Sequence, residues 1–179
     1  DNILPFIEGK LKLKVNREKT TESYIGRIKF LGYGFYAWKD GIKLRVHQRS
    51  VTKMKDRIRQ ITSRSNGISY EMRKVKLKQF ITGWVNYFKQ ADMKKILAQV
   101  DEWLRRRIRM FIWKRWKRIR TSYTMPKRLG YSHTNAIKSA NTRKGYWHIA
   151  NSHILKCSIT NDHLKQAGYL TFSKVYKSV

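Results

Sequence analysis

The chain has 179 residues, with 41 Lys or Arg against 11 Asp or Glu and a net charge of +30. A hydrophobic content of 41% supports a packed core and excludes a disordered basic tail. The excess charge calls for a polyanion, and nucleic acid leads because each neutralised phosphate releases counterions.

Residues 1–9 read as the end of a helix whose start is missing. The chain opens without an initiator Met, which reads as a fragment of a longer protein, although processing would look the same. Leu11, Leu13 and Val15 alternate with Lys12, Lys14 and Asn16, the pattern of a half-buried strand. Residues 16–20 are polar and turn-like. Residues 28–38 read as a second strand. Within it, Gly32 and Gly34 are either irregularities or points where another backbone approaches. Asp40-Gly41 is a two-residue hairpin signal. The return strand sets Ile42, Leu44 and Val46 against Lys43, Arg45 and His47.

Three helices follow, over residues 50–65, 69–90 and 92–122. Ser50 is the expected N-cap of the first and Ser69 of the second, with Glu71 in its first turn. Val51, Met54, Ile58 and Ile61 form one apolar stripe. Leu77, Phe80, Ile81, Trp84, Val85 and Phe88 form the next. Ile96, Val100, Trp103, Leu104, Ile108, Phe111 and Ile112 form the third. Gly83 costs about 1 kcal/mol relative to Ala in a helix, and a tight helix crossing would account for it. Elements after residues 122–126 become short and aromatic, so the best domain break lies there. Asn151 and Thr160 are expected caps of short helices, the second ending at Gly168. The fold class is α+β, mainly α: short strands and a β-hairpin, a three-helix bundle, and a small helical C-terminal region. The divisions fall at 1–48, 49–122 and 123–179.

Cys157 is the only cysteine, so neither an internal disulfide nor a cysteine-based zinc site can form. After Ile154 and Leu155 it reads as a small buried side chain. His47, His133, His148, His153 and His163 lack metal-ligand spacing, and no metal site is assigned. No apolar run is long enough to span a bilayer and no signal peptide is visible, so a membrane is the weaker partner.

Candidate nucleic-acid contacts are Arg105, Arg106, Arg109, Lys114, Arg115, Lys117 and Arg118, with Arg107 among them. Arg106 and Arg109 lead, because they lie opposite the Val100–Leu104–Ile108–Phe111 stripe. Arginine suits bidentate phosphate contact and stacking. Arg143, Lys144, Tyr146 and Trp147 form a basic aromatic segment where phosphate contact and stacking would cooperate. The spacing of Trp84, Tyr87, Phe88, Trp103 and Phe111 favours a core over base stacking. Asp101-Glu102, the only adjacent acidic pair, reads as charge balance near a helix start.

Several stretches resemble the bacterial group II intron-encoded reverse transcriptases, or maturases. Residues 11–20 (Leu-Lys-Leu-Lys-Val-Asn-Arg-Glu-Lys-Thr) resemble their sixth polymerase block, with Val15 in place of the usual Leu. Residues 30–33 (Phe-Leu-Gly-Tyr) resemble the seventh, which grips the primer strand. Residues 83–88 (Gly-Trp-Val-Asn-Tyr-Phe) and 97–107, with Asp101-x-Trp103-Leu104-Arg105-Arg106, resemble the maturase-specific thumb. Residues 141–147 and 150–152 resemble the tail after it. The order and spacing of these blocks cover nearly the whole chain.

The resemblance implies the end of a palm at 1–48, a helical thumb (X domain) at 49–122 and a basic nucleic-acid-binding region at 123–179. It implies that Asn16 and Thr20 edge the palm, Lys19 sits near the incoming nucleotide and Tyr33 touches the primer. The implied partners are group II intron RNA, an RNA–DNA template–primer duplex, target DNA and an upstream finger and palm region, in a bacterial cytoplasm near the nucleoid. The parent copies intron RNA into DNA and aids splicing. The catalytic Asp pair that would hold its Mg2+ lies upstream of the sixth block and is absent here. No catalytic residue, cofactor or polymerase activity is therefore expected of this segment alone. The zinc-bearing endonuclease tail of some relatives is missing too. A stand-alone structured-RNA-binding protein of ribosomal or tRNA-associated type is the rival reading. A nuclease or integrase fragment and a membrane-surface protein rank below it.

Overall fold

The computed structural model describes residues 3–18, 23–63, 65–116 and 118–178. Ile3–Pro5 (α1) leads into one π-helical turn over Phe6–Lys10, so the helical entry holds. The strand expected over residues 11–15 does not form. Lys12 sits at φ 51, which breaks the pleat, and Leu11 and Leu13 stay exposed. Alternation alone cannot hold a strand that has no ladder partner. Lys19 and Thr20 lie outside the described residues.

The single strand expected over residues 28–38 is two strands. Lys29–Phe30 (β1) turns back at once into Tyr33–Trp38 (β2), with Phe30 paired to Tyr33. Leu31 at φ 49 and Gly32 at φ 86 make the tight turn, the positive-φ pair that matches strand twist in a two-residue hairpin. Of the two readings of Gly32, the irregularity holds: it interrupts the strand as a turn residue, and what a Cβ there would meet is side chain rather than another backbone, Ser50 Oγ at 3.0 Å and the Phe88 ring at 3.1 Å. Gly41–Val46 (β3) pairs antiparallel with β2, from Tyr33↔Val46 to Trp38↔Gly41. The second hairpin therefore forms as expected, but Lys39 and Asp40 are its turn residues and Gly41 opens the return strand. Val46 is buried at the base of β3, while Ile42 near the tip stays exposed.

Gln48–Ile61 (α2) buries Val51, Met54, Ile58 and Ile61, the expected stripe. Its cap is His47 rather than Ser50: His47 Nδ1 accepts from the Arg49 N–H at 3.1 Å. Ser50 instead donates its hydroxyl to Gly32 O at 2.9 Å, where the His47 N–H also bonds at 3.0 Å. The first turn of α2 is thus tied to the β1–β2 turn.

Burial, then the nearby Lys29, Arg49 and Arg45 charges, hold the His47 ring below its ordinary pKa. Only the neutral ring can accept the cap bond. A depressed folded value means the unfolded chain takes up the proton first on acidification. The His47 contribution is complete above the free-histidine value of about 6.5 and is lost as pH falls through the lower folded value. Thermal melts from pH 8 to pH 5 check this. His47→Asn, a cap that does not titrate there, is expected to flatten that part of the profile; parallel profiles would contradict it.

Tyr70–Phe88 (α3) is capped as expected by Ser69, which accepts from the Met72 N–H at 3.2 Å. Gly83 has nothing within 4 Å of a built Cβ, so no tight crossing accounts for it, and nothing in the structure explains this glycine. Lys94–Arg115 (α4) ends at Trp116, six residues before the expected stop at 122. The chain turns there so that Trp113 and Trp116, 5.8 Å apart edge to face, are both buried. A separate helix, Ile119–Arg128 (α5), then contains Ser122 and, in its last turn, Pro126. The expected break at residues 122–126 thus lies inside a helix.

Short helices complete the chain: His133–Ala140 (α6), Tyr146–Ile149 (α7), His153–Ser158 (α8), Asn161–Gln166 (α9) and Phe172–Ser178 (α10). Thr160 caps α9 as expected, accepting from the His163 N–H at 3.1 Å. Ser152 caps α8 in place of Asn151, accepting from the Leu155 N–H at 3.3 Å. Gly168 follows α9 at φ 86. Cys157 is exposed, not buried, because Leu155 and Ser158 take the inward side of α8.

One hydrophobic core runs from Val46 through the stripes of α2, α3 and α4 to Phe172 and Val175 of α10. Asp101 ties α4 to the start of α10 at the edge of this core. It is 3% exposed, and its two oxygens accept from the Phe172 N–H at 2.7 Å and the Ser173 N–H at 2.9 Å. The expected reading of Asp101 as charge balance on its own helix is corrected: it caps another one.

Candidate nucleic-acid interface

Among the described residues three ion pairs form: Arg17–Glu8 at 3.0 Å, Arg59–Asp56, and Lys74–Glu71 at 3.1 Å. Asp101 is committed to α10, and Asp92 accepts from the Tyr36 hydroxyl at 3.3 Å. With 41 basic residues against 11 acids, the chain's own carboxylates leave most cations unpaired. Lys53, Arg57, Lys76, Lys78, Lys94, Lys95, Arg118, Arg120, Lys127, Arg128, Arg143 and Lys144 all stand exposed on the outer faces.

Between α2, α4 and α7 the cations are ordered by tryptophan. The Arg59 guanidinium lies 5.6 Å and that of Arg107 5.5 Å from the Trp103 ring centre. Arg107 also lies 6.0 Å from the Trp147 ring, and Arg106 stacks on it at 3.8 Å. Arg106 Nε and Nη2 donate to Trp147 O at 3.2 and 2.9 Å. Arg107 Nε donates to Thr62 Oγ1 at 2.6 Å. Burial first, and then the neighbouring Arg59 charge, push the Arg107 pKa down. An anion brought to this crowded group would relieve the repulsion.

Two basic recesses flank this ladder. One, of about 360 Å³, lies at the start of α3 and is lined by Ser69, Arg73, Lys114 and Arg115. The other, of about 300 Å³, has Trp113 and Trp116 in its wall and Arg143, Lys144 and Tyr146 around it. The structure therefore groups Lys114 with Arg115, groups Arg143 with Lys144 and Tyr146, and joins Arg106 to Trp147. Arg105 is half-buried beside Lys165 and Lys174 in a smaller cleft. Arg118 is exposed, and Lys117 lies outside the described residues.

Arg109 is a correction. It was expected to face outward with Arg106, yet it is 6% exposed. Its Nε donates to Ile159 O at 2.8 Å and its Nη2 to Asn161 Oδ1 at 3.0 Å. The face of α4 opposite the apolar stripe is covered there by the turn between α8 and α9. Burial, and then the nearby Arg105 charge, lower its pKa.

Tyr33 turns its hydroxyl to Tyr87 O at 2.5 Å and packs on Phe88. Tyr87 donates in return to Leu31 O at 2.9 Å, so the residue 30–33 turn is fastened to the end of α3. Asn16 is exposed. Arg59 and Thr62 are not among the candidate contacts, and Trp103, weighed above for base stacking, is read there as core. The only local signal was that Arg57 and Arg59 lie off the apolar stripe of α2; the pairing with α4 is not visible locally.

Among the described residues no group of three His, Cys, Asp or Glu could hold a metal ion. His153 Nε2 comes within 3.5 Å of Cys157 Sγ, but no third ligand joins them. No helix among the described residues is long and apolar enough to cross a membrane.

Residues 51–130 match the family model described as the group II intron, maturase-specific domain. That span takes in α2 from Val51 onward, α3, α4 and α5, and with them the Trp103 half of the ladder. No curated protein matches the chain.

Proposed function

We propose that the chain binds structured intron RNA and helps that RNA fold for splicing, because residues 51–130 match the family model described as the group II intron, maturase-specific domain. The observation that carries the reading is the unneutralised cationic surface on α2, α4 and the α6–α7 connection, ordered by Trp103 and Trp147. Folded RNA is recognised chiefly through shape, phosphates and 2′-hydroxyls, which suits a broad basic face. The family match supports group II intron RNA as the partner, and the charge supports the means of holding it.

The finer reading extends the same chemistry. In a longer reverse transcriptase, α2–α4 act as the thumb that holds the RNA–DNA template–primer duplex during reverse transcription. The region after α5 holds intron RNA and target DNA during intron mobility. Ile28, Phe30, Leu31, Trp38 and Ile42 are exposed apolar residues on or beside the small sheet, and they fit a contact with an upstream finger and palm region. In this reading Mg2+ chemistry belongs to that upstream region, where the resemblance places the catalytic Asp pair. The setting proposed is the bacterial cytoplasm near the nucleoid.

Competition binding tests the identity of the RNA. Folded group II intron RNA is expected to bind at least about tenfold more tightly than tRNA or ribosomal RNA fragments at equal salt, a difference of about 1.4 kcal/mol. Equal affinity for all three would favour a general structured-RNA-binding protein instead.

A further inference from the structure

We propose that Trp147, backed by Arg106, is a stacking site for a single unpaired nucleobase of the bound RNA. This rests on the RNA-binding reading above and adds which part of the RNA the surface selects.

Six tryptophans are present, and their burial separates them. Trp113 and Trp116 are 7% and 8% exposed, whereas Trp38 on the small sheet keeps 56% and Trp147 keeps 37% of its surface in solvent; of these two, Trp38 has a lysine, Lys43, at 5.3 Å, and Trp147 alone carries a closely stacked arginine. That exposure is held in place. The Arg106 guanidinium lies 3.8 Å from the indole centre, and its Nε and Nη2 grip the backbone carbonyl of the same residue. Arg106 comes from α4, so the ring on α7 is braced from behind by the central helix. Arg107 lies 6.0 Å from the ring and links it through Trp103 to Arg59. Arg143 and Lys144, both exposed, precede Trp147 by a few residues.

A braced aromatic ring among cations fits a base with phosphates on either side. A protein side chain would fit less well, because covering the ring would also desolvate the cations around it without supplying their counter-charge. In an A-form duplex each base face is covered by its neighbours, and sequence-tolerant aromatic stacking needs a base that has left the stack. The surface therefore favours a bulge, loop or strand end over a continuous helix. The rest of the basic face follows the flanking phosphates.

The test uses the full chain with two RNAs: a duplex with one bulged 2-aminopurine and the matched, fully paired duplex. The bulged RNA is expected to bind roughly tenfold more tightly, with 2-aminopurine emission quenched on binding. Trp147→Ala is expected to bring the bulged-to-paired affinity ratio to about one and to abolish the quenching. Trp147→Phe, which keeps a ring for both Arg106 and the base, is expected to retain part of each, and it serves should the alanine variant fail to fold. Equal wild-type affinity for the two RNAs, or quenching that persists in a folded Trp147→Ala protein, would overturn the proposal while leaving RNA binding intact. Failure of the wild type to bind either RNA would overturn the RNA-binding reading itself, and this inference with it.

Discussion

Asp101→Ala is expected to lower the unfolding free energy by roughly 2–4 kcal/mol, since each buried donor left without a partner costs about 1–3 kcal/mol. Two such donors are at stake, the N–H groups of Phe172 and Ser173. Both open α10, which packs on α3 and α4. Phe172 is fully buried and meets the Trp84 ring edge to face at 5.6 Å. Losing the cap would therefore loosen the last helix and uncover part of the core. Asp101→Asn keeps one carbonyl acceptor but turns an amide donor toward the other N–H, so an intermediate loss is expected. Urea unfolding of the three proteins checks this. An alanine variant within a few tenths of a kcal/mol of the parent would show that α10 does not depend on the carboxylate.

Arg109→Ala is expected to cost a similar roughly 2–4 kcal/mol, because it leaves the Ile159 carbonyl and the Asn161 side chain without their charged donor. Arg109→Lys is not expected to restore the loss, since an ammonium cannot reproduce the guanidinium fork. The same variants are expected to leave the salt dependence of RNA binding unchanged, as a buried guanidinium contacts no phosphate. Arg143→Ala and Lys144→Ala are expected to behave in the opposite way, with stability kept and affinity lost. Paired unfolding and binding measurements separate the two classes. A shallower salt slope in Arg109→Ala with normal stability would restore Arg109 to the interface.

The contrast between Arg109 and its neighbours shows what local pattern can and cannot reveal. The apolar stripes of α2, α3 and α4 are legible because helical periodicity is a property of a few adjacent turns. Ser69 and Thr160 are legible as caps for the same reason. His47 is hidden as a cap behind Ser50, since histidine is an unusual cap and Ser50, three residues on, has a task of its own at Gly32. Leu31 at positive φ hides a hairpin inside what reads as one strand. Trp116 ends α4 although the helix is expected to run on to residue 122, because the bend buries a second tryptophan.

The deepest misreadings share one cause. Opposite the stripe of α4, helical geometry places Arg106 and Arg109 side by side, as expected. Which of them meets solvent depends on α7, α8 and α9, which arrive some 40 to 50 residues later. Asp101 finds its partner 71 residues on. Distant packing of this kind converts part of an apparently uniform cationic helix into internal scaffolding. It leaves a smaller, tryptophan-ordered set of cations for the proposed RNA interface.

The most direct measurement is the affinity for folded intron RNA as a function of salt. A logarithmic plot is expected to fall steeply and linearly, as each phosphate contact releases about one counterion. Arg143→Ala combined with Lys144→Ala should reduce the slope by about two. Affinity that stays flat from low to high salt, or a slope untouched by removing exposed cations, would contradict an interface built from unpaired positive charge.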